Sequence, residues 1–230
     1  MSAERMSTLF VVATPIGNLE DITLRALRTL READAIFCED TRVTAKLLAK
    51  YEISKPLIRA DERSEEKAAA RALELLADEK KIALVTDAGT PGISDPGARL
   101  VKAVREAGYV VVPIPGASAV TTALSVAGLT GHEFVFMGFL PHKKGRQTAL
   151  KRISEEERAV ILYESPHRIE KLMSELAHAI PEREVKLFRE LTKLYEETLV
   201  GMPQELWPRL ETDGSARGEF VVVISPSEGA

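Results

Sequence analysis

Val85-Thr86-Asp87-Ala88-Gly89-Thr90-Pro91-Gly92-Ile93-Ser94-Asp95-Pro96-Gly97 is the stretch on which the fold turns. It follows Ile82-Ala83-Leu84-Val85, a short apolar run of the kind that forms a buried strand. It precedes residues 98–106, where Leu100, Val101 and Val104 recur at helical spacing. The stretch therefore reads as a strand-to-helix turn. Asp95-Pro96 predicts the helix start, with a carboxylate to cap free N–H groups and proline at the first helical position. Gly108 predicts its stop. Such a connection needs only a few residues. This one uses about ten, three glycines and two prolines among them. Glycine lets a ligand approach the main chain, and proline stiffens its neighbours. A long, stiff loop stripped of side chains suits a binding surface better than a connector.

Two more loops of this kind follow apolar runs. They are Ala13-Thr14-Pro15-Ile16-Gly17-Asn18-Leu19 and Pro113-Ile114-Pro115-Gly116-Ala117-Ser118-Ala119. Glycine and proline also punctuate ordinary surface loops, but that reading weakens with each repetition. In an open α/β sheet the ligand site lies outside the carboxyl ends of the strands, and three such loops would meet there.

Outward from these loops, strands are predicted at residues 9–13, 33–38, 57–58, 82–85 and 109–113, alternating with helices. Thr23 is placed to cap a helix bearing Leu24, Leu27 and Leu30, and Ser64 to cap a long helix through Asp78. Strand–helix alternation predicts a parallel sheet covered on both faces. After Gly116 the pattern changes. A small-residue helix over 117–127 leads to strands at 134–137, 159–163, 185–189 and 219–224, with a helix predicted to start at Ser165-Pro166. Several of these strands are close enough in sequence to pair antiparallel. The expectation is an α/β protein of two domains, 1–116 and 117–230, the first sheet rich in parallel pairs and the second mixed.

Composition bounds the function. The single cysteine, Cys38, lies in an apolar run and makes neither an internal disulfide nor a zinc site, which suits a reducing cytoplasm. Residues 1–7 are charged and polar, unlike a secretory signal. The longest uncharged stretch, 107–132, is interrupted by Pro113, Pro115 and four glycines, so it reads as protein interior rather than a membrane span. A net charge of −4 argues against a general nucleic-acid binder. Distribution matters more than the sum, however. No acid falls between Glu133 and Glu155, while His142, Lys143, Lys144, Arg146, Lys151 and Arg152 do. This basic window is either a phosphate-binding patch or a solvated face.

Several chemistries are excluded. There is no Gly-Lys-Ser/Thr phosphate loop and no GxGxxG after the first strand. The four histidines are scattered without ligand spacing. Ser118 lacks the GxSxG frame of a nucleophile turn.

Taken in order, eight motifs resemble the tetrapyrrole methylase superfamily. They are Ala13-Thr-Pro-Ile-Gly-Asn-Leu19, Glu39-Asp-Thr-Arg42, Asp87-Ala-Gly-Thr-Pro91 with Ile93-Ser-Asp-Pro-Gly97, Pro115-Gly-Ala-Ser-Ala119, Gly138-Phe-Leu-Pro141, Tyr163-Glu-Ser-Pro-His-Arg168, Arg189-Glu-Leu-Thr-Lys193 and Gly218-Glu219. The resemblance is greatest to the branch that methylates the 2′-hydroxyl of a cytidine ribose in 16S rRNA of the 30S ribosomal subunit. It implies S-adenosyl-L-methionine as cofactor, held in a cleft between the domains, a homodimer and a cytoplasmic location. Carried onto matching positions, it implies cofactor contacts at Pro15, Gly89, Thr90, Pro91, Ile93, Ser118, Ala119 and Tyr163. The superfamily places a Gly-Asp-Pro turn at the cofactor; here the acid is replaced by Thr90.

Methyl transfer requires donor and acceptor held in line, and a ribose hydroxyl gains from a base that takes its proton. Loop-end acids able to serve are Glu39, Asp40, Asp87, Asp95 and Glu164, with Glu39 or Asp40 preferred because they end a strand at the ligand edge. For each residue taken singly, a role as helix cap or ion-pair partner is the favoured reading. Arg42, Arg168, Lys143, Lys144 and Arg146 are the expected RNA contacts. Two alternatives stand beside this reading: methylation of a corrin or other tetrapyrrole precursor, and a non-catalytic RNA-binding module.

Overall fold

The structure, a computed structural model, describes residues 7–129, 133–212 and 217–227. The chain divides into two compact units, Met1–Ser118 and Ala119–Ala230.

The first unit runs β1 (Thr8–Val12), α1 (Leu24–Glu32), β2 (Ala35–Cys38), α2 (Thr41–Lys50), β3 (Leu57–Arg59), α3 (Glu65–Ala77), β4 (Lys81–Leu84), α4 (Ala98–Glu106) and β5 (Val110–Ile114). Its strands lie in the order β3-β2-β4-β1-β5, and every pair is parallel. Strand residues alternate between two cores, as a two-residue period requires. Leu9, Phe37, Ile82 and Leu84 meet Leu76, Leu100 and Val104 on one face. Val12, Ile36, Ala83 and Val85 meet Leu27, Leu30 and Leu48 on the other. The strand order has a functional consequence. β4 returns to lie between β2 and β1, and β5 lies beyond β1. Because all are parallel, the carboxyl ends of β2, β4, β1 and β5 are neighbours on one edge.

The second unit runs α5 (Ala119–Val126), β6 (Phe134–Phe139), α6 (Arg146–Glu155), β7 (Ala159–Glu164), α7 (Ile169–Ala179), β8 (Val185–Arg189), β9 (Glu197–Gly201), α8 (Pro203–Thr212) and β10 (Phe220–Ile224). The sheet order is β6-β7-β10-β8-β9. Only β6 and β7 pair parallel; the remaining pairs are antiparallel. Val160, Leu162, Leu187 and Val222 pack against Leu150, Ile153, Leu172, Met173, Leu176 and Leu206. Arg183 closes this core at one end. Its guanidinium donates to the carbonyls of Ile153 (2.9 Å), Glu156 (2.8 Å), Arg158 (3.0 Å) and Ser225 (2.6 Å).

Helix starts differ from expectation in instructive ways. Thr23 caps α1 as its position suggests, accepting from Ala26 N at 3.0 Å, but Leu24 faces solvent. Asp95 does not cap α4. Gly97, at φ 127°, is the capping residue, and the N–H groups of Gly97 and Arg99 both donate to Glu65 Oε1 at 2.9 Å. A carboxylate from α3 thus does what Asp95 was expected to do, which leaves Asp95 for other use. Ser64 does not cap α3; its hydroxyl turns back to Asp61. Helix α7 begins at Ile169 rather than at Pro166, because Arg168 N and Ile169 N both bond Ser165 O and close a turn first.

Glu65 is almost wholly buried. Replacing it with Ala orphans two helix-end N–H groups and is expected to cost about 1–3 kcal/mol. Urea denaturation checks this, and Glu65→Gln, which keeps an acceptor oxygen, should lose less.

Candidate active site

The three glycine-proline loops are joined mainly through their backbones. Thr14 N donates to Gly89 O at 2.8 Å, and Gly89 N donates back to Thr14 O at 3.1 Å. Thr14 Oγ1 donates to Thr86 O at 3.0 Å, and Thr90 Oγ1 to Ala117 O at 3.3 Å. Two glycines permit this closeness. Gly89 sits at φ 81°, where a side chain is strained, and a Cβ there would lie 3.4 Å from Ile16 Cγ2. A Cβ on Gly116 would lie 3.0 Å from Ala13 Cβ. Pro15 and Pro91 are buried beneath the loops, whereas Gly116 is exposed and Ile93 is 55% exposed. Main chain at Gly116 and an apolar side chain at Ile93 thus reach the outer surface.

Next to this cradle, the end of β2 meets the end of β4. Thr86 Oγ1 donates to Glu39 Oε2 at 3.0 Å. Asp40 N donates to Asp87 Oδ1 at 3.0 Å. Asp40 caps α2 by accepting from Arg42 N at 2.8 Å, and its second oxygen lies 2.5 Å from Arg42 Nη2. The hydrogen bond from the Arg42 guanidinium holds the Asp40 carboxyl far below the usual carboxylate range. Asp95 is the opposite case. Burial pushes it up to about 6; repulsion from Glu39 and Asp87 adds to this, and a hydrogen bond with Thr86 partly offsets it. Asp87 is also raised, first by burial. Thr86, buried and polar at the end of an apolar strand, escaped notice in the sequence. Its hydroxyl donates to Glu39 and is also hydrogen-bonded with Asp95, so it links the two carboxyl groups.

The second unit gathers its motifs on one sheet edge as well. Phe139 pairs with Tyr163, Glu164 with Phe220, Phe220 with Arg189, and Arg189 with Glu197. Arg168 reaches back from the start of α7. Its Nε lies 3.1 Å from Glu164 Oε1, Nη2 donates to Leu140 O at 2.5 Å, and Nη1 lies 3.1 Å from His142 Nε2. A guanidinium has no acceptor, so His142 Nε2 accepts in this contact. Arg168 is therefore a brace, only 15% exposed, rather than an open phosphate contact. Arg146 corrects the sequence reading more sharply. It is 4% exposed, its Nε donates to both oxygens of Glu175 at 3.0 and 2.8 Å, and its Nη1 donates to Pro141 O. Its Nη2 lies 2.6 Å from Glu175 Oε2 but is poorly aligned to donate. Arg146 does not belong to the exposed patch. Lys143 and Lys144 do, and among the described residues neither makes an ion pair.

A profile of the tetrapyrrole (corrin/porphyrin) methylases matches residues 8–206. The chain belongs to that family. Within the tetrapyrrole methylases, a relative from Neisseria meningitidis serogroup B is 48% identical over 225 residues, covering 96% of this chain and 77% of the relative. One from Thermotoga maritima is 46% identical over 223 residues, covering 97% of this chain and 100% of the relative. Both carry the name Ribosomal RNA small subunit methyltransferase I. A uroporphyrin-III C-methyltransferase from Thermus thermophilus, solved with S-adenosylhomocysteine, shares the fold at a TM-score of 0.66 and 18% identity, covering 95% of this chain and 97% of that one.

Of the positions implied for the cofactor, Pro15, Gly89, Thr90, Pro91 and Ile93 are gathered on the first unit's carboxyl edge, and Ser118 ends that unit. Ala119 opens α5 in the second unit, and Tyr163 stands at the end of β7. Thr90, at the place of the superfamily acid, uses its hydroxyl to tie two loops together.

Proposed function

We propose that this methylase-family chain methylates the 2′-hydroxyl of a cytidine ribose in 16S rRNA of the small ribosomal subunit, with S-adenosylmethionine as donor. The observation that carries the reading is the relation, at 46–48% identity over 96–97% of this chain, to proteins named for small-subunit rRNA methylation. The loops suit the cofactor: Gly89 and Gly116 let three loops close on one another through their main chains, and Ile93 offers apolar surface beside them. When bound, S-adenosylmethionine supplies a methyl carbon on a positive sulfur that is its own leaving group.

The chain's residues then have distinct tasks. The stitched loops fix the donor half in place, which is most of what an in-line transfer needs. A ribose hydroxyl must lose its proton, and the best base titrates near the working pH. Asp95, pushed up to about 6, meets that condition better than Asp40, which Arg42 holds firmly ionised. Glu39 shares Thr86 with Asp95 and keeps its proton affinity high. Asp40 orients Arg42 toward an RNA phosphate.

The deciding experiment offers methyl-labelled cofactor to 30S subunits, naked 16S rRNA and precorrin substrates. Label should appear as 2′-O-methylcytidine in 30S subunits. Label in a precorrin and none in RNA would sink the reading. In the same assay Lys143→Ala/Lys144→Ala should weaken 30S binding and reduce its salt dependence, by about one unit of slope for each phosphate no longer neutralised. An unchanged slope would return these lysines to the solvated surface.

A further inference from the structure

One aromatic side chain in the second unit faces the wrong way for a regular strand. β6 pairs with β7 so that Phe136 stands opposite Ile161 and Phe139 opposite Tyr163. Ile161 and Tyr163 are two apart and share a face of the sheet. Phe136 and Phe139 are three apart, yet they share that face too. An irregularity between Phe136 and Gly138 inserts Met137, and Gly138 takes φ 62°. Without it, Phe139 would stand opposite Glu164, on the core face that Leu162 shares. A bulge of this kind re-aims a side chain.

The re-aimed ring completes a ladder. Phe136 meets Tyr163 edge-on at 5.0 Å between centroids, and Tyr163 meets Phe139 edge-on at 5.6 Å. Phe139 ends the ladder 53% exposed. The chain continues directly into the segment carrying Lys143 and Lys144, and no acid occurs from residue 134 to 154. Arg168 ties that segment to the base of the ladder, bonding Leu140 O and reaching Glu164, the neighbour of Tyr163. A half-exposed, braced ring followed four and five residues later by exposed lysines matches what single-stranded nucleic acid requires: a face on which a base stacks, and charge for the phosphates.

We propose that Phe139, backed by Tyr163 and Phe136, is the platform on which an unpaired nucleobase of the RNA substrate stacks. The proposal deepens the RNA reading above and rests on it. Phe134, two residues before Phe136 on the same face, is also 44% exposed, but the acid-free basic segment that follows Phe139 in the chain favours a polyanion over an apolar protein partner.

The test compares the parent chain with Phe139→Leu and Phe139→Trp, using methyl transfer to purified 30S subunits. Leucine keeps apolar bulk without a ring face, and tryptophan keeps the face. Phe139→Leu should raise KM for 30S subunits by roughly tenfold, with kcat and cofactor affinity near the parent's, and Phe139→Trp should restore KM. Equal losses in both variants would mean the ring only packs, and would overturn the proposal. So would an unchanged KM in Phe139→Leu, a loss of cofactor affinity instead, or a changed oligomeric state. If the parent itself transfers no methyl to 30S subunits, the RNA reading fails and the platform with it; methyl transfer by the parent separates the two failures.

Discussion

Asp95→Asn is expected to slow the methyl-transfer step by about 10²–10⁴-fold, with cofactor and RNA affinities kept. The parent's single-turnover rate should rise with pH through about 6 and then level off, because Asp95 accepts a proton only when ionised. The Asn variant should lose that limb. Neighbouring variants separate this role from the alternatives. Glu39→Gln removes a negative charge that raises Asp95, so the limb should move to lower pH while activity persists. Asp40→Asn should leave the limb in place and act on RNA affinity through Arg42. A full rate in Asp95→Asn would remove Asp95 from the chemistry and return the question to Glu39. Stability runs in the other direction. The folded pKa of Asp95 lies above its unfolded value, so the fold holds an extra proton between the two. Stability therefore falls as pH rises across that window, and the deficit persists above it. Asp95→Asn should be at least as stable as the parent above pH 6, which thermal melts at two pH values will read.

The second large effect is on folding. Arg183→Met should destabilise the protein by on the order of 3 kcal/mol or more, since it strips the donor from four backbone carbonyls at the end of the second core. For a chain of this length that is a fall of roughly 6–12 °C in melting temperature. Arg183→Lys should recover little. A guanidinium spreads its donors in a planar fork, whereas an ammonium is a single point at the end of a flexible stem. A melting temperature within a degree or two of the parent's in Arg183→Met would show that water replaces the fork.

Much of this architecture was legible in the sequence, and the reason is local. Apolar runs such as Ile82-Ala83-Leu84 read as buried strands because they are too short for a helix and end at turn residues, and glycine and proline mark the loops after them. The parallel first sheet and mixed second sheet follow from that punctuation. What was not legible depends on residues distant in sequence. Asp95-Pro96 has every local mark of a helix start, yet Glu65, thirty positions away, supplies the cap. Arg146 looks like part of a basic patch until Glu175 on another helix claims it. Thr86 gives no signal because its worth lies in the carboxylates that fold around it. Strand β9 and helix α8 carry weak local signals: β9 is an edge strand with only Leu199 buried, and Pro208 lies inside α8. The platform at Phe139 needs a bulge, which sequence periodicity cannot register.

The exchange of main-chain bonds between Thr14 and Gly89 has a consequence for how such proteins are related by descent. Those two bonds ask for no particular side chain at either position beyond the smallness of Gly89. Ancestral changes at the surrounding positions can accumulate while the cradle keeps its shape, because its shape is written in peptide groups that every residue carries. Alignment scores count side chains only. A fold held in this way tolerates wide change of side chains, and the uroporphyrin enzyme shares this fold at 18% identity. Pedigrees for these methylases are better drawn from which loops touch and where glycine is compulsory than from the number of matching letters.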